Sequence, residues 1–192
     1  MKFFGTIRKF NDDSEMKEDL RNSIECHFDY KWEHDKNQAF LLEEDLNNFR
    51  QLPSEVQTKI YQDFLFSDFL ETFKQTFAFP KLDNPNLHAF YSWHDFEYKN
   101  FMIDILQALE PRCENSNEIL INELDEQNEV LFFNNGTYEI GYEINRVKKY
   151  VLRFKDSNVI GAYQCTFNKR SMFIYKTVTV CKGYSIRKVN WL

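Results

Sequence analysis

The chain contains 192 residues, of which 43% are hydrophobic and 28% are charged, and its net charge at pH 7 is −6. The hydrophobic share excludes a disordered chain, and the length suits one domain or one domain with a helical annex. The negative charge argues against a nucleic-acid partner and against an anionic membrane surface, since both are bound by basic faces.

The first half of the sequence predicts helices. Residues 14–49 contain no Gly or Pro, and their apolar side chains recur at helical spacing. Pro53 breaks this pattern, and Ser54 follows as the predicted N-cap of a second helix over residues 55–77. The turn-forming residues of 81–87 then predict a loop.

The second helix is richer in phenylalanine than one amphipathic face requires. One interpretation is a core between helices, and the other is an apolar surface that contacts a partner, since large exposed apolar patches mark interfaces. On the second interpretation, the interface candidates are Phe66, Phe69, Phe73 and Phe77. Phe66 and Phe77 are expected to point away from the main apolar stripe.

The second half of the sequence predicts antiparallel strands. Residues 95–109 predict a short helix ended by Pro111, after which the apolar period changes to two. The predicted strands cover residues 118–121, 129–133, 137–144, 149–154, 171–180 and 183–188. Asn135-Gly136 is typical of a type I′ hairpin, whereas residues 159–171 are neither a clean strand nor a long helix. We therefore predict an α+β fold with segregated halves.

Cysteine usage and hydropathy indicate a cytoplasmic protein. The four cysteines, Cys26, Cys113, Cys165 and Cys181, include no C-x-x-C pair and match no zinc spacing. We therefore predict reduced, mostly buried thiols and no metal site. No signal-peptide pattern follows Met1, and no segment reaches the roughly 20 apolar residues of a membrane span. The expected location is the cytoplasm, either membrane-adjacent or within a larger complex.

Six segments of the sequence together resemble a known family: residues 52–77, 90–109, 117–123, 129–136, 159–163 and 186–191. They resemble the C-linker and cyclic-nucleotide-binding domain of gated cation channels, most closely the cytosolic tails of voltage-gated potassium channels of the cyclic-nucleotide-regulated superfamily. The resemblance implies an N-terminal extension (1–13), a helical C-linker-like region (14–88) and a jelly-roll-like β-roll of the cyclic-nucleotide-binding type (89–192). It also implies protein partners or self-association through the helical region, where subunits of the family meet.

The resemblance implies a phosphate-binding cassette at Gly161. In the family, a short helix after this glycine directs its N-terminal amides at the cyclic phosphate, an arginine pairs with the phosphate, and a glutamate binds the ribose. Arg170 and Ser171 fall near the family's arginine and Ser/Thr positions. Ala162 occupies the glutamate position and cannot accept the ribose hydrogen bond, which costs about 1–3 kcal/mol of binding. With Tyr163, these residues form the implied ligand set.

The resemblance and its departures leave two functions open. The first is a non-enzymatic regulatory or assembly module that has a degenerate nucleotide pocket and acts through protein–protein contacts. The second is a functional cAMP or cGMP sensor within, or paired with, a potassium or cation channel, in which Arg170 and the amides of residues 161–164 hold the phosphate. The family's lid helix has no counterpart before Leu192. No catalytic motif is present, so we predict no enzyme and no cofactor apart from this nucleotide ligand.

Overall fold

The computed structural model describes residues 2–81 and 89–192. The N-terminal half is helical, as predicted, but its helices are shorter and more numerous than the periodicity indicates. They are α1 (Lys2–Lys9), α2 (Glu18–His34), a 3-10 turn (Lys36–Phe40), α3 (Glu43–Arg50), α4 (Ser54–Lys59), a π-helical turn (Ile60–Leu65) and α5 (Ser67–Thr72). The predicted loop over residues 81–87 lies, except for Lys81, outside the described residues.

The π-helical turn interrupts the helix predicted over residues 55–77. The amide of Phe66 donates to the carbonyl of Tyr61, five residues earlier, at 2.9 Å. This wider turn rotates the following residues relative to α4. Tyr61, Phe66 and Phe69 are all buried as a result. The apolar spacing does not reveal the interruption, because a π turn uses the same residue types as an α-helix.

The C-terminal half contains one longer helix, eight strands and two short helices. They are α6 (Phe96–Gln107), β1 (Glu110–Glu114), β2 (Ile119–Ile121), β3 (Glu129–Asn135), β4 (Thr137–Ile144), β5 (Val147–Lys155), β6 (Asn158–Ile160), α7 (Ala162–Phe167), β7 (Ile174–Thr177), β8 (Cys181–Arg187) and α8 (Lys188–Trp191). The predicted helix over residues 95–109 and the predicted strand over residues 137–144 are confirmed within a few residues.

Two four-stranded antiparallel sheets form a β-roll. Their strand orders are β1-β8-β3-β6 and β2-β7-β4-β5. The predicted α+β fold, with helices first and an antiparallel roll after them, is confirmed. The sequence patterns do not predict β1, because Pro111 reads as a helix stop. Pro111 lies within this edge strand, where a missing backbone amide is tolerated.

The hairpin predicted at Asn135-Gly136 is wrong. The strands on either side of it, β3 and β4, belong to different sheets. Gly136 has a φ of +120°, and a Cβ at this position would lie 2.6 Å from the Sγ of Cys181. The chain therefore uses this glycine to cross between sheets. The two consecutive positive φ values of a type I′ turn occur instead at Asn145 and Arg146, which join β4 to β5.

The main core joins the helical half to one sheet of the roll. Phe66, Phe69, Phe73 and Phe77 are each at most 2% exposed. The Phe132 ring of β3 lies 5.3 Å from the ring of Phe69 and 5.2 Å from that of Phe73, measured between centroids. The prediction that these four phenylalanines form a partner-facing surface is wrong, because they are covered by the roll. The expectation that Phe66 and Phe77 point away from the apolar stripe fails for the same reason.

A second core fills the space between the two sheets. Its buried members are Ile121, Leu131, Phe133, Tyr138, Ile160, Tyr175 and Cys181. They come from strands of both sheets, at alternating positions of β3 and from β2, β4, β6, β7 and β8. The interior of the roll is therefore packed with aliphatic and aromatic side chains.

Polar contacts also hold the helical half against the roll. The side-chain amide of Asn37 donates to the carbonyls of Leu106, Gln107 and Leu109 at 3.1–3.2 Å, which satisfies the C-terminal end of α6. Glu110 at the start of β1 binds Lys31 of α2 at 2.7 Å and Arg187 of β8 at 2.9 Å. Among the described residues, no helix combines the length and the apolar character needed to cross a membrane.

Candidate functional site

The segment between β6 and β7 contains the predicted cassette helix. Residue 160 ends β6, Gly161 adopts the left-handed conformation with a φ of +87°, and α7 begins at Ala162. Asn168, also left-handed at a φ of 50°, ends the helix, as asparagine does at helix C-termini. A short helix that follows Gly161 is the element the resemblance implies, and the segment is not a buried strand.

Gly161 is required by its surroundings as well as by its φ. A Cβ at this position would lie 2.7 Å from the carbonyl oxygen of Glu129 and 2.9 Å from the Cγ of Gln127. The first of these atoms belongs to the backbone of β3 and cannot move without disturbing the sheet. The glycine thus permits a tight approach between the start of α7 and the loop before β3.

The loop over residues 125–128, called the bracing loop below, forms hydrogen bonds with several residues of the cassette segment. The carbonyl of Asp125 accepts from the amide of Ser171 at 3.0 Å, and the carboxylate of Glu126 accepts from the Arg170 guanidinium at 3.2 Å. The carbonyl of Gln127 accepts from the thiol of Cys165 at 3.5 Å. One short loop therefore contacts both ends of the segment that the resemblance identifies as the ligand site.

The buried Gln127 is a site residue that the sequence does not reveal. Its side chain is 8% exposed and donates to the carbonyl of Glu129 at 2.7 Å. A single glutamine in a polar turn gives no signal of burial, because this residue type is usually exposed. Gly161 and Cys165 both lie against this residue in the fold.

The predicted ligand residues form two groups. Gly161, Ala162 and Tyr163 are consecutive at the start of α7, whereas Arg170 and Ser171 lie beyond its end. The Tyr163 side chain is exposed, and its ring lies 4.9 Å from that of Phe167. Ala162 supplies a methyl group and no hydrogen-bonding side chain. The two groups are connected through the bracing loop.

The polar side chains of the second group are engaged within the fold. The Ser171 hydroxyl, 1% exposed as a residue, donates to the carbonyl of Phe173 at 2.7 Å. The Arg170 side chain is 63% exposed and pairs with the Glu126 carboxylate. A phosphate bound by Arg170 would thus have to compete with a carboxylate that already holds the guanidinium.

The inner side of α7 contacts the packed interior of the roll. Burial raises the pKa of Tyr175, and a hydrogen bond with Gln164 acts in the opposite direction. Burial likewise raises the pKa of the Cys165 thiol, which keeps the thiol protonated at neutral pH. Cys165 is therefore a structural residue of the core rather than a nucleophile.

The other side of α7 is held by α8. The indole nitrogen of Trp191 donates to the hydroxyl of Thr166 at 2.8 Å, and the ammonium group of Lys188 donates to the side chain of Asn168 at 2.5 Å. The Thr166 hydroxyl also donates to the carbonyl of Ala162 at 2.8 Å. These contacts fix the helix between the bracing loop and the C-terminal turn.

The cleft next to the bracing loop is acidic. It has a volume of about 520 Å³ and is lined in part by Glu114, Glu118, Glu126 and Glu129. Arg112 also lines it but is already paired with Glu114 and, at 3.6 Å, with Glu129. Such a cleft repels a cyclic phosphate. Within residues 2–81 and 89–192, no group of three or more His, Cys, Asp or Glu side chains could hold a metal ion.

Comparison with known proteins gives partial structural matches. No protein-family model matches the sequence, and no curated protein matches it either. The regulatory domain of Toxoplasma gondii PKA with cAMP is 13% identical with a TM-score of 0.45, and the match covers 48% of this chain and 35% of that one.

Two further solved structures match in the same way. A mutant regulatory subunit of a cAMP-independent protein kinase A from Trypanosoma brucei, bound to cAMP in the A site, is 13% identical with a TM-score of 0.48, and the match covers 68% of this chain and 42% of that one. A putative cAMP-binding regulatory protein from Silicibacter pomeroyi is 15% identical with a TM-score of 0.39, with coverages of 42% and 38%. The chain spans about a third of the length of the first structures it matches.

Proposed function

We propose that this chain is a non-enzymatic regulatory or assembly module, in which a C-linker-like helical region precedes a cyclic-nucleotide-binding-type roll with a degenerate nucleotide pocket. It acts through contacts with other proteins. The observation that carries the proposal is the internal use of the candidate ligand residues. The Ser171 hydroxyl donates to a backbone carbonyl, and the Arg170 guanidinium is paired with the Glu126 carboxylate. The Ala162 side chain has no hydrogen-bond acceptor.

Two polar interactions that a cyclic nucleotide needs are weakened or missing in this chain. The ribose hydroxyl finds no carboxylate at Ala162, which leaves a buried donor unpaired at a cost of about 1–3 kcal/mol. The cyclic phosphate must take Arg170 from Glu126, whose negative charge also repels it. The ribose term alone reduces nucleotide affinity by about tenfold to a hundredfold, at about 1.4 kcal/mol for each factor of ten. The Arg170–Glu126 pair is exposed, so its competition adds at most about 1 kcal/mol.

The helical region offers the surface for protein contacts. Helices α2, α3 and α4 contain no buried residue among them. The exposed large apolar side chains of this half include Phe10, Leu20, Trp32, Leu41, Leu42 and Phe64. A contiguous apolar patch marks an interaction surface, and we propose that these six side chains contribute to one. These residues replace the four buried phenylalanines as the candidates for self-association or partner binding.

The nucleotide part of the proposal is tested by calorimetry and thermal unfolding with cAMP and with cGMP. We expect no heat of binding and no stabilisation at millimolar nucleotide. A competent site at one hundred times its Kd would add about 2.7 kcal/mol of stability. Binding that Arg170→Ala abolishes and Lys169→Ala retains would overturn the degenerate pocket in favour of a sensor.

The assembly part is tested by sedimentation velocity from 1 to 200 µM. We expect concentration-dependent association that the double variant Leu41→Ser/Phe64→Ser reduces at least tenfold. The control is Phe167→Ser, which removes an exposed aromatic side chain from the roll; Phe167 is 59% exposed, and Phe64 is 79% exposed. A wild-type chain that stays monomeric throughout would remove self-association and leave only a hetero-partner for this surface.

The second candidate function is a cAMP- or cGMP-sensing cytosolic domain of, or partner to, a potassium or cation channel. It is favoured by one observation, the retained left-handed Gly161 directly before α7. This geometry preserves the helix start at which the family binds phosphate. The calorimetric titration with Arg170→Ala separates the two functions, because only the sensor gains stability from nucleotide.

A further inference from the structure

The free edge of β5 is the longest unpaired strand edge in the described part of the chain. β5 (Val147–Lys155) has nine residues and ends the order β2-β7-β4-β5, so only its β4 side is paired. Its other side presents backbone amides and carbonyls to solvent, and such groups pair readily with another extended chain. A bulge at Val151 divides this edge into two stretches of four residues.

The side chains of β5 are exposed on both faces of the sheet. Val147, Val151 and Leu152 are each more than half exposed, although valine and leucine are normally covered in a strand. Phe154 stacks on Tyr138 at 5.5 Å between centroids but remains partly exposed. These apolar side chains lie beyond the second core, where a further strand would cover them.

The same strand is strongly basic. It contains Lys148, Lys149, Arg153 and Lys155 and no acidic residue, and Arg146 precedes it in the turn. Arg153 is paired with Glu139 of β4 and Lys155 with Asp156 at 3.9 Å. Lys148 donates to the side chain of Asn122 at 3.0 Å and lies opposite Glu143 in the ladder, and neither it nor Lys149 forms an ion pair with a described residue. A basic edge in a chain of net charge −6 is a local concentration of positive charge.

Charge complementarity selects the occupant of this edge. A second copy of β5 would bring four basic side chains against four others, and like charges on paired strands are destabilising. A strand that carries carboxylates alternating with apolar side chains would instead place the carboxylates beside Lys148 and Lys155 on one face and cover Val147 and Leu152 on the other. Hydrogen bonds between the two backbones would supply the affinity, as in β-strand addition.

We propose that the β5 edge binds an extended acidic segment of a partner protein, which adds to the β2-β7-β4-β5 sheet as a fifth strand. This inference rests on the proposed function, because both take the module to act through contacts with other proteins. It uses a different surface from the helical region, so the two proposals fail separately: sedimentation tests the helices, and peptide binding tests the roll.

The test uses the full chain and a labelled peptide of five alternating Glu-Val repeats. We expect saturable binding in fluorescence anisotropy and slower hydrogen exchange of the β5 amides in the complex. The double variant Lys148→Glu/Lys149→Glu should weaken binding at least tenfold. The matched control, Lys9→Glu/Lys59→Glu on exposed helical positions, changes the net charge equally and should stay within twofold of wild type.

Three outcomes would overturn the proposal. One is equal binding of the same peptide N-methylated at alternate amides, which cannot form strand pairing. Another is the absence of binding at millimolar peptide. The third is binding to phosphatidylserine vesicles that the Lys148→Glu/Lys149→Glu variant abolishes while peptide binding is unaffected, because the basic edge would then serve a lipid surface. Retained hydrogen-exchange protection in the folded core shows that each variant is folded.

Discussion

Helices α2, α3 and α4 and strand β3 differ in how completely they cover their apolar side chains. Strand β3 of the roll contains four consecutive buried residues, Val130, Leu131, Phe132 and Phe133. In α2, α3 and α4 no residue is buried, and Trp32 of α2 is more than half exposed, as is Phe64 of the π-helical turn that follows α4. Helices that cover so little apolar surface gain little stability from packing. The comparison teaches that the roll with α5 and α6 provides the stability, while the earlier helices provide surface.

The sharpest test of this contrast is Phe132→Ala. Phe132 is fully buried and contacts the rings of Phe69, Phe73, Phe77 and Trp191. Its truncation should lower the free energy of unfolding by about 3–5 kcal/mol. Urea denaturation measures the loss. The control is Phe64→Ala, which should change stability by less than about 0.5 kcal/mol, since Phe64 is 79% exposed. Equal losses for both variants would contradict the contrast.

A smaller effect is expected for Gly161→Ala. The substitution forces a left-handed alanine and a contact of 2.7 Å with the Glu129 carbonyl oxygen, so it should cost about 1–3 kcal/mol. The paired variant is Gly5→Ala in α1, where no atom lies within 4 Å of the new Cβ. Alanine should stabilise that helix by up to about 1 kcal/mol. Thermal unfolding of the two variants should therefore shift in opposite directions, and a common direction would refute the account.

The smallest effect concerns Glu110, which joins the two halves. Burial alone would raise the pKa of Glu110, but its ion pairs with Lys31 and Arg187 outweigh burial and hold the pKa below its ordinary value of 4.5. A carboxyl group whose pKa is lowered in the folded state stabilises the fold at pH values above its unfolded-state pKa. This stability is lost as the pH falls through the folded-state pKa. Glu110→Gln should cost about 1 kcal/mol at pH 7 and nothing at pH 2. A difference from wild type that persists at pH 2 would show another cause.

The roll was the more predictable half of the fold. Apolar alternation predicted β4, because that strand has one face on the core between the sheets. A continuous run of apolar residues predicted part of β3, because four consecutive residues of that strand are buried. The same signal failed for β1, whose five residues contain a proline. It also placed the hairpin at Asn135-Gly136 instead of Asn145-Arg146, because residue types that tolerate positive φ do not say which strands pair.

The candidate site was predictable only along the chain. The family resemblance implies a short helix directly after Gly161, and α7 begins there. The partners of Arg170 and Ser171 could not be predicted, because Glu126 and Asp125 lie more than forty residues earlier in the sequence. The burial of Gln127 could not be predicted either, because Gly161 and Cys165, which lie against it, are more than thirty residues later in the sequence.

The sequence by itself determined the class of the fold and the order of helices before strands, because local conformational preference and the spacing of apolar residues act over a few residues. Tertiary structure alone decided that Phe66, Phe69, Phe73 and Phe77 are core and not surface, that Arg170 faces a carboxylate, and that β5 is an open edge. These outcomes depend on contacts between distant segments, and the periodicity of a segment shows that it has an apolar face without showing what covers it.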